Sequence, residues 1–261
     1  MYFVLFPALL FRSLATAPLA LGDAVRLIGV GVGFTLAGMA LSALAAPLFR
    51  LPPTTFAACF QCAFRFNTYV ALAAASRVGG PAALAAISLM IGVLVPMVNV
   101  AAVAMLARSH DARVLPALLR NPLVLACAAG IAWNALHWTV PPLPAHLLEL
   151  LAAPALPLGL LAVGAALRVT RGTLPWPALA FWHVVKLGVL PALALLLGAF
   201  AGLSAAERQV ALVMAAVPTA TSAYILAVQM KAPGAPVALL ISTSTLLGVL
   251  TLPLWLSLAA P

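Results

Sequence analysis

A charged side chain, Arg65, lies near the middle of the apolar segment 55–75. It is about ten residues, or roughly 15 Å, from either end of that segment, which is too deep for its guanidinium to reach a membrane surface fully. Asn67 and Thr68 follow it, and these residue types can cap the N-terminus of a helix. A guanidinium beside a helix N-terminus is suited to bind an anion. The alternative interpretation is an arginine that only caps backbone carbonyls at a helix break.

A second interruption occurs at residues 217–222, within the apolar segment 207–229. Pro218 has no N–H and its ring clashes with the preceding turn, so a helix through it must open. Open backbone at membrane depth is tolerated only where it is buried in protein or lines a cavity. Two helix starts that face each other near the midplane would bind a carboxylate. The hydroxyl side chains of the second interruption are those of Thr219, Thr221 and Ser222.

Three further polar residues lie inside apolar segments and are candidates for ion coupling. Lys186 and His183 are three residues apart in segment 176–200, so a regular helix would place them on one face. A lysine in a membrane span is rare and is a functional candidate, and a histidine can carry a proton. The alternative for His183, which follows an aromatic pair, is an interfacial anchor. Asn99 is a candidate to line the cavity expected at the helix breaks; the alternative is a hydrogen bond that packs two helices together. H⁺ or Na⁺ is the expected coupling ion, if there is one.

No metal site and no cofactor are expected from this sequence. The only spacing that resembles a ligand pair is Cys59 and Cys62, a CxxC at helical spacing with no histidine or carboxylate beside it. Small packing residues are the better interpretation of this pair. The third cysteine, Cys127, also lies in an apolar segment, and an odd number of such cysteines argues against a disulfide framework.

The composition shows what surrounds these residues. Of the 261 residues, 66% are hydrophobic and 7% are charged. A soluble domain carries about a quarter charged residues, so the outer surface of this chain must face a lipid bilayer. The net charge of +9 comes from Lys and Arg residues scattered at segment ends, which is typical of topology determinants and not of a nucleic-acid interface. No cleavable signal peptide is expected, because no basic region precedes the first apolar run.

Apolar runs of about 20 residues are long enough to cross a bilayer as helices. Such runs predict an all-α integral membrane protein with about nine transmembrane helices. Their connections contain turn residues, such as the sequence Gly79-Gly80-Pro81. The predicted spans are residues 2–20, 24–46, 55–75, 82–107, 121–138, 145–168, 176–200, 207–229 and 236–258.

The orientation of the chain follows from the distribution of Lys and Arg between alternate loops, because the cytoplasmic side carries the excess. The richer side contains the loops after the even-numbered spans. The N-terminus is therefore expected in the cytoplasm and the C-terminus outside. The residues of the richer side are Arg50, Arg108, Arg113, Arg120, Arg168, Arg171 and Lys231, against Arg26, Arg77 and Arg208 on the other side.

Residues 87–96 and 243–253 are similar, and each run follows a Gly/Pro-rich turn that itself follows an interrupted span. The interrupted spans are the third and the eighth, so they would cross the membrane in opposite directions. Inverted repeats with paired broken helices are typical of secondary transporters. We therefore predict a first inverted repeat of four helices, a cytoplasmic linker and a second inverted repeat of five helices. Their predicted boundaries are 1–107, 108–120 and 121–261.

Several short motifs give the chain a resemblance to the auxin efflux carrier family, and in particular to its bacterial malate or malonate permeases. They occur in the order found in that family and extend over nearly the whole chain. The motifs are FRFNTY (64–69), VPMVNV (95–100), RNPL (120–123), ALPLGLLAVG (155–164), VPTATSAYILA (217–227) and TLPL (251–254).

The resemblance implies ten helices in two inverted five-helix repeats, with the fourth and ninth helices broken and crossing at their breaks. This chain is then expected to lack the first helix. Segments 55–75 and 207–229 would be the crossing helices, with Phe66 and Pro218 at the crossover. The family often has Pro or Gly where this chain has Phe66, so a softer first break is expected. The resemblance also implies an elevator mechanism, a location in the bacterial cytoplasmic (inner) membrane and, as a candidate assembly, a homodimer through scaffold helices.

We therefore expect a secondary active transporter, and not an enzyme, that moves a small organic anion by alternating access. A malate- or malonate-like mono- or dicarboxylate is the expected substrate. An intramembrane enzyme would need a nucleophile and base or a metal, and a channel would normally repeat by oligomeric symmetry around one filter; the sequence favours neither. The predicted substrate-binding residues are Arg65, Asn67, Thr68, Thr219, Thr221 and Ser222.

Overall fold

The computed structural model describes residues 3–16, 21–107, 122–155, 157–158, 161 and 174–259. Within these ranges all regular structure is helical, which confirms the predicted all-α class. The predicted linker 108–120 and part of the predicted span 145–168 lie outside the described residues.

The described helices lie in two halves of the chain. In the first half they are α1 (Leu5–Ala15), α2 (Leu21–Ala43), α3 (Ala45–Phe49), α4 (Pro53–Phe60) and α5 (Thr68–Ala107). In the second half they are α6 (Pro122–Ala135), α7 (Pro142–Ala152), α8 (Trp176–His183), a π-helical turn (Val184–Val189), α9 (Leu190–Phe200), α10 (Ala205–Ala216), α11 (Ser222–Gln229) and α12 (Gly234–Leu258).

Four helical stretches of the described chain are long and apolar enough to cross a membrane. One of them, α5, has 40 residues and consists of two arms. The arms meet at Gly79 and Gly80, where Gly80 has a φ of 57°, a left-handed conformation that favours glycine. The predicted Gly/Pro turn is therefore present. The count of nine spans stays a prediction. The four stretches are Ala24–Phe49, Thr68–Ala107, Trp176–Phe200 and Gly234–Leu258.

Both predicted helix interruptions are present. The first separates α4, which ends at Phe60, from α5, which begins at Thr68. The second separates α10, which ends at Ala216, from α11, which begins at Ser222. Each break is followed by a short helical stretch, a turn with glycine and proline, and a long helix. The two halves thus share one order of elements around their breaks.

A buried polar contact fixes the end of α4 in the apolar interior. The Ser42 hydroxyl donates to the Phe60 carbonyl oxygen at 2.7 Å and accepts from the Trp182 indole Nε1–H at 2.9 Å. Carbonyls of the last helical turn have no partner within their own helix. Ser42 therefore satisfies one such carbonyl and joins α2, α4 and α8 at one point.

Replacing this hydroxyl should destabilise the fold. Ser42→Ala leaves the Phe60 carbonyl and the Trp182 N–H without this partner, and we expect a loss of about 1–3 kcal/mol. The measurement is the temperature at which the detergent-solubilised protein loses its monodisperse size-exclusion peak. Ser257→Ala is the control, because the exposed Ser257 hydroxyl donates only to Leu254 of its own helix. An equal effect of the two substitutions would contradict the role of Ser42.

Candidate functional site

The two helix breaks are in direct contact. The Asn67 backbone N–H donates to the Pro218 carbonyl oxygen at 2.9 Å, and the Thr219 hydroxyl donates to the Cys62 carbonyl oxygen at 2.8 Å. Both acceptors lie in backbone that the breaks remove from regular helix. Each break thus satisfies polar groups of the other, as irregular backbone in an apolar interior requires.

The long helix α12 supports the second break from one side. The Ser244 hydroxyl oxygen accepts the Thr219 backbone N–H at 3.3 Å and donates to the Ile241 carbonyl of its own helix at 3.0 Å. Gly248 faces Pro218, and a Cβ at Gly248 would lie 3.5 Å from the proline ring, which is ordinary contact distance. The close fit of α12 holds the proline-containing break in place.

Arg65 lies at the contact between the breaks, with 6% of its surface exposed. Its Nη1 donates to Gln61 Oε1 at 2.9 Å, and its Nη2 donates to Ser222 Oγ at 3.0 Å. The Gln61 amide donates in turn to the carbonyl oxygens of Ala58 and Ala223, each at 3.2 Å. This network joins the end of α4 to the start of α11 and fixes the position of the guanidinium.

Asn67 caps the N-terminus of α5. Its Oδ1 accepts the backbone N–H groups of Tyr69 at 3.1 Å and Val70 at 3.3 Å. Because both of these groups are donors, the amide oxygen must face the helix and Nδ2 must point away from these donors. The Asn67 side chain is 2% exposed, and Nδ2 has no hydrogen-bond partner among the described residues. A buried donor without an acceptor costs about 1–3 kcal/mol.

The remaining predicted site residues also lie at the breaks. Phe66 is buried in the non-helical stretch of the first break, and Thr68 is the first residue of α5. Thr221 directly precedes α11 and, like Ser222, is half-buried. The Thr219 hydroxyl proton is used in the bond to Cys62, so Thr219 contributes to the contact of the breaks. Whether these residues bind a substrate stays a prediction.

The three candidate coupling residues occupy different places. Lys186 is 1% exposed and its Nζ donates to the Ala215 carbonyl oxygen at 2.9 Å, in the last turn of α10. His183 Nε2 lies 2.7 Å from Thr243 Oγ1, on α12. The Thr243 hydroxyl donates to its own helix, so the histidine N–H is the donor of that contact. Asn99 is half-buried on α5 and shares no described contact with the breaks.

Lys186 and His183 therefore contact different helices, α10 and α12. A π-helical turn begins at Val184, between the two residues. A π turn closes with a hydrogen bond one residue longer than that of an α-helix, so the angular positions of residues three apart change.

Three polar residues of this region are not among the predicted site residues: Gln61, Ser42 and Ser244. Gln61 lies one helical turn before Arg65, and a polar residue four positions from a buried arginine is a signal in the sequence. Ser42 and Ser244 carry no comparable signal, because small hydroxyl residues are common in membrane helices and their partners lie far away in sequence.

The described acidic side chains are engaged elsewhere. Glu207 forms a capping box with Ser204 at the start of α10. Glu149 pairs with Arg12 at 3.3 Å, with both side chains about half-exposed. Among the described residues, no group of three or more His, Cys, Asp or Glu side chains could hold a metal ion. Cationic and neutral donors dominate the contacts described at the breaks.

The bond between Thr219 and Cys62 yields a prediction about the contact of the two breaks. Thr219→Val removes the donor and leaves the buried Cys62 carbonyl without it, so we expect a loss of about 1–3 kcal/mol of stability. Thr219→Ser keeps the hydroxyl, so it should lose less stability than Thr219→Val. The control is Thr245→Val, because the Thr245 hydroxyl donates to Ile241 of its own helix. The unfolding temperature in detergent is measured for all three variants. If Thr219→Val were as stable as Thr245→Val, the bond from Thr219 to Cys62 would not stabilise the contact of the breaks.

A family model described as "Membrane transport protein" matches residues 106–256, which is more than half of the chain. The matched range includes the second break and Lys186, whereas Arg65 and Asn67 precede it. A comparison with curated proteins found none that matches.

Proposed function

Because this chain belongs to the membrane transport protein family, we propose that it is a secondary active transporter of a small organic anion. The family supports transport across a membrane, and the apolar helices support a multi-pass membrane protein. The anionic nature of the substrate is inferred from the chemistry of the crossing breaks. A mono- or dicarboxylate of the malate or malonate type is the proposed class.

The observation that carries this proposal is the buried Nδ2 of Asn67, which has no hydrogen-bond partner in the described part of the chain. It lies at the N-terminus of α5, where the positive end of the helix dipole favours an anion. Arg65, two residues earlier, adds a cationic group that two hydrogen bonds hold in position. A carboxylate offers only acceptors, so it matches this set of donors. Hydrogen bonds between ionised partners are shorter and stronger than those between neutral ones.

The start of α11 supplies the second side of the proposed site. Arg65 Nη2 is bonded to Ser222 Oγ there, so the second helix start lies beside the same guanidinium. The hydroxyls of Thr68, Thr221 and Ser222 are the proposed neutral contacts to the substrate. Thr219 is proposed to shape the site through its bond to Cys62. Helix N-termini that point at an anionic group near the midplane are a recurrent arrangement in transporters.

We propose alternating access of the elevator type, in which the site moves as one body. Four hydrogen bonds between the breaks support this: Asn67 to Pro218, Thr219 to Cys62, Gln61 to Ala223 and Arg65 to Ser222. A site assembled from two segments can be carried across a membrane only if the segments move together. The bacterial cytoplasmic membrane, a cytoplasmic N-terminus, an external C-terminus and a homodimer through scaffold helices complete the proposal.

Asn67→Asp tests the proposed site most directly. The carboxylate keeps the cap on α5, because an acidic residue is a good N-cap and interacts favourably with the helix dipole. It replaces the Nδ2 donor with an acceptor and adds a negative charge. We expect uptake of radiolabelled malonate into proteoliposomes to fall about 10- to 100-fold, while thermostability is retained.

Asn67→Ser is the second variant at this position. It keeps a capping hydroxyl, removes the amide donor and adds no charge, so its uptake should lie between those of the wild type and Asn67→Asp. Uptake by Asn67→Asp at the wild-type rate would exclude the proposed anion site.

Arg65→Gln should also abolish malonate uptake, because it removes the cationic group while keeping a hydrogen-bonding side chain. The matched control is Arg77→Gln, since Arg77 is exposed near the turn of α5. Both variants are compared at equal amounts of reconstituted protein. Equal uptake by the two variants would show that Arg65 has only a structural role.

A carrier and a channel differ in the concentration dependence of flux. We expect the rate of malonate uptake to saturate, and unlabelled malonate inside the vesicles to accelerate the entry of labelled malonate. Both effects require a site that faces one side at a time. Linear flux without such counterflow would indicate a channel instead.

A further inference from the structure

We infer that the Lys186 amine occupies the place of a coupling Na⁺ at the second helix break. Transport is therefore independent of Na⁺. Lys186 acts in this inference as a positioning residue for the break. The inference rests on the proposed transport function and specifies its ion coupling. Three observations carry it: the contact of Lys186, the state of the carbonyl it contacts and the anchoring of the π turn.

The first observation is the place of the Lys186 amine. The side chain is 1% exposed, and Nζ donates to the Ala215 carbonyl oxygen at 2.9 Å. Ala215 lies in the last turn of α10, which ends at Ala216, one residue before the break begins. Carbonyls of a last turn have no partner within their helix, and they form the negative end of the helix dipole.

The second observation explains why this carbonyl needs an external partner. In a continuous helix the Ala215 carbonyl would accept the N–H of Thr219, four residues later. Here the Thr219 N–H donates to Ser244 Oγ on α12 instead. Carbonyls at the C-terminal ends of broken helices, and those of the unwound stretch, coordinate Na⁺ in other transporters. Lys186 brings a covalently attached amine donor to that kind of place.

The third observation is that the lysine's own backbone is anchored beside the break. Lys186 belongs to the π-helical turn Val184–Val189, and π turns often occur at functional sites. The Trp255 indole Nε1–H donates to the Leu187 carbonyl oxygen of this turn at 2.7 Å. Trp255 belongs to α12, the helix that also supports Thr219 through Ser244. One helix therefore positions both the break and the residue that fills it.

The helix end at the first break is satisfied differently in the described contacts. Its carbonyls at Phe60 and Cys62 accept from the neutral hydroxyls of Ser42 and Thr219. The amine at the second break is thus not a general requirement for closing a helix end. An attached amine also differs from a mobile ion in one respect: it cannot dissociate on the other side of the membrane, so it cannot transmit the energy of a Na⁺ gradient.

The test compares thermostability of the purified full-length protein in NaCl and in choline chloride, each at about 100 mM. We expect the wild type to have the same unfolding temperature in both salts. In choline chloride, Lys186→Gln and Lys186→Met should unfold at a lower temperature than the wild type. In NaCl their unfolding temperature should be about 3 °C higher than in choline chloride, because Na⁺ can then reach the carbonyls that the lysine amine no longer contacts. Lys186→Arg, which keeps a cationic donor, should show no difference between the salts. Lys231→Gln, in the loop before α12, is the control and should also show none.

Binding of ²²Na⁺ gives an independent readout, with saturable binding expected for Lys186→Met and none for the wild type. A wild type that is specifically stabilised by Na⁺ would overturn the inference, and this measurement needs no variant to fold. An equal loss of stability in both salts for Lys186→Gln and Lys186→Met would also overturn it, because Lys186 would then be only a structural anchor. None of these measurements contains an organic anion. If the wild type did not take up malonate, that result would refute the proposed function without bearing on the Na⁺ measurements.

Discussion

The structure depends on one constraint: in an apolar interior, every backbone N–H and C=O must find a partner within the protein. A broken helix violates this constraint unless something else supplies the missing partners. The Asn67 N–H meets the Pro218 carbonyl, and the Thr219 hydroxyl meets the Cys62 carbonyl. Each break therefore supplies hydrogen-bond partners that the other break needs. This reciprocity explains why the interruptions occur as a pair and why they touch.

The same arrangement separates opposite charges in space. The starts of α5 and α11 present N–H groups and attract negative charge, and Arg65 lies between them, bonded to Ser222. The end of α10 presents carbonyls and attracts positive charge, and Lys186 lies there. Opposite ends of broken helices thus favour opposite ions within one small region. The two basic side chains consequently have different surroundings, although each is buried in an apolar interior.

Much of this architecture could be predicted from the sequence, because it follows from local rules. Pro218 breaks a helix wherever it occurs, and the Gly79-Gly80-Pro81 turn gives the bend of α5. The partners of side chains could not be predicted, because they depend on packing between distant segments. The bond of Lys186 to Ala215 and the two bonds of Ser42 are of this kind. The π turn that contains Lys186 was likewise not predictable, since no rule of spacing indicates one.

Asn67 shows how a buried polar group can be both a structural and a binding element. As a cap, its Oδ1 satisfies two N–H groups of α5 and stabilises the helix start by about 1 kcal/mol. The same orientation leaves Nδ2 buried and without a partner among the residues that the structure describes, at a cost of similar size or larger. An ionised Asp would provide the cap without an unpaired donor, because it has no donor of its own. The proposed contact to a bound acceptor rests on this amide donor, and the two hydrogen bonds that hold the Arg65 guanidinium would reduce the rearrangement that binding requires.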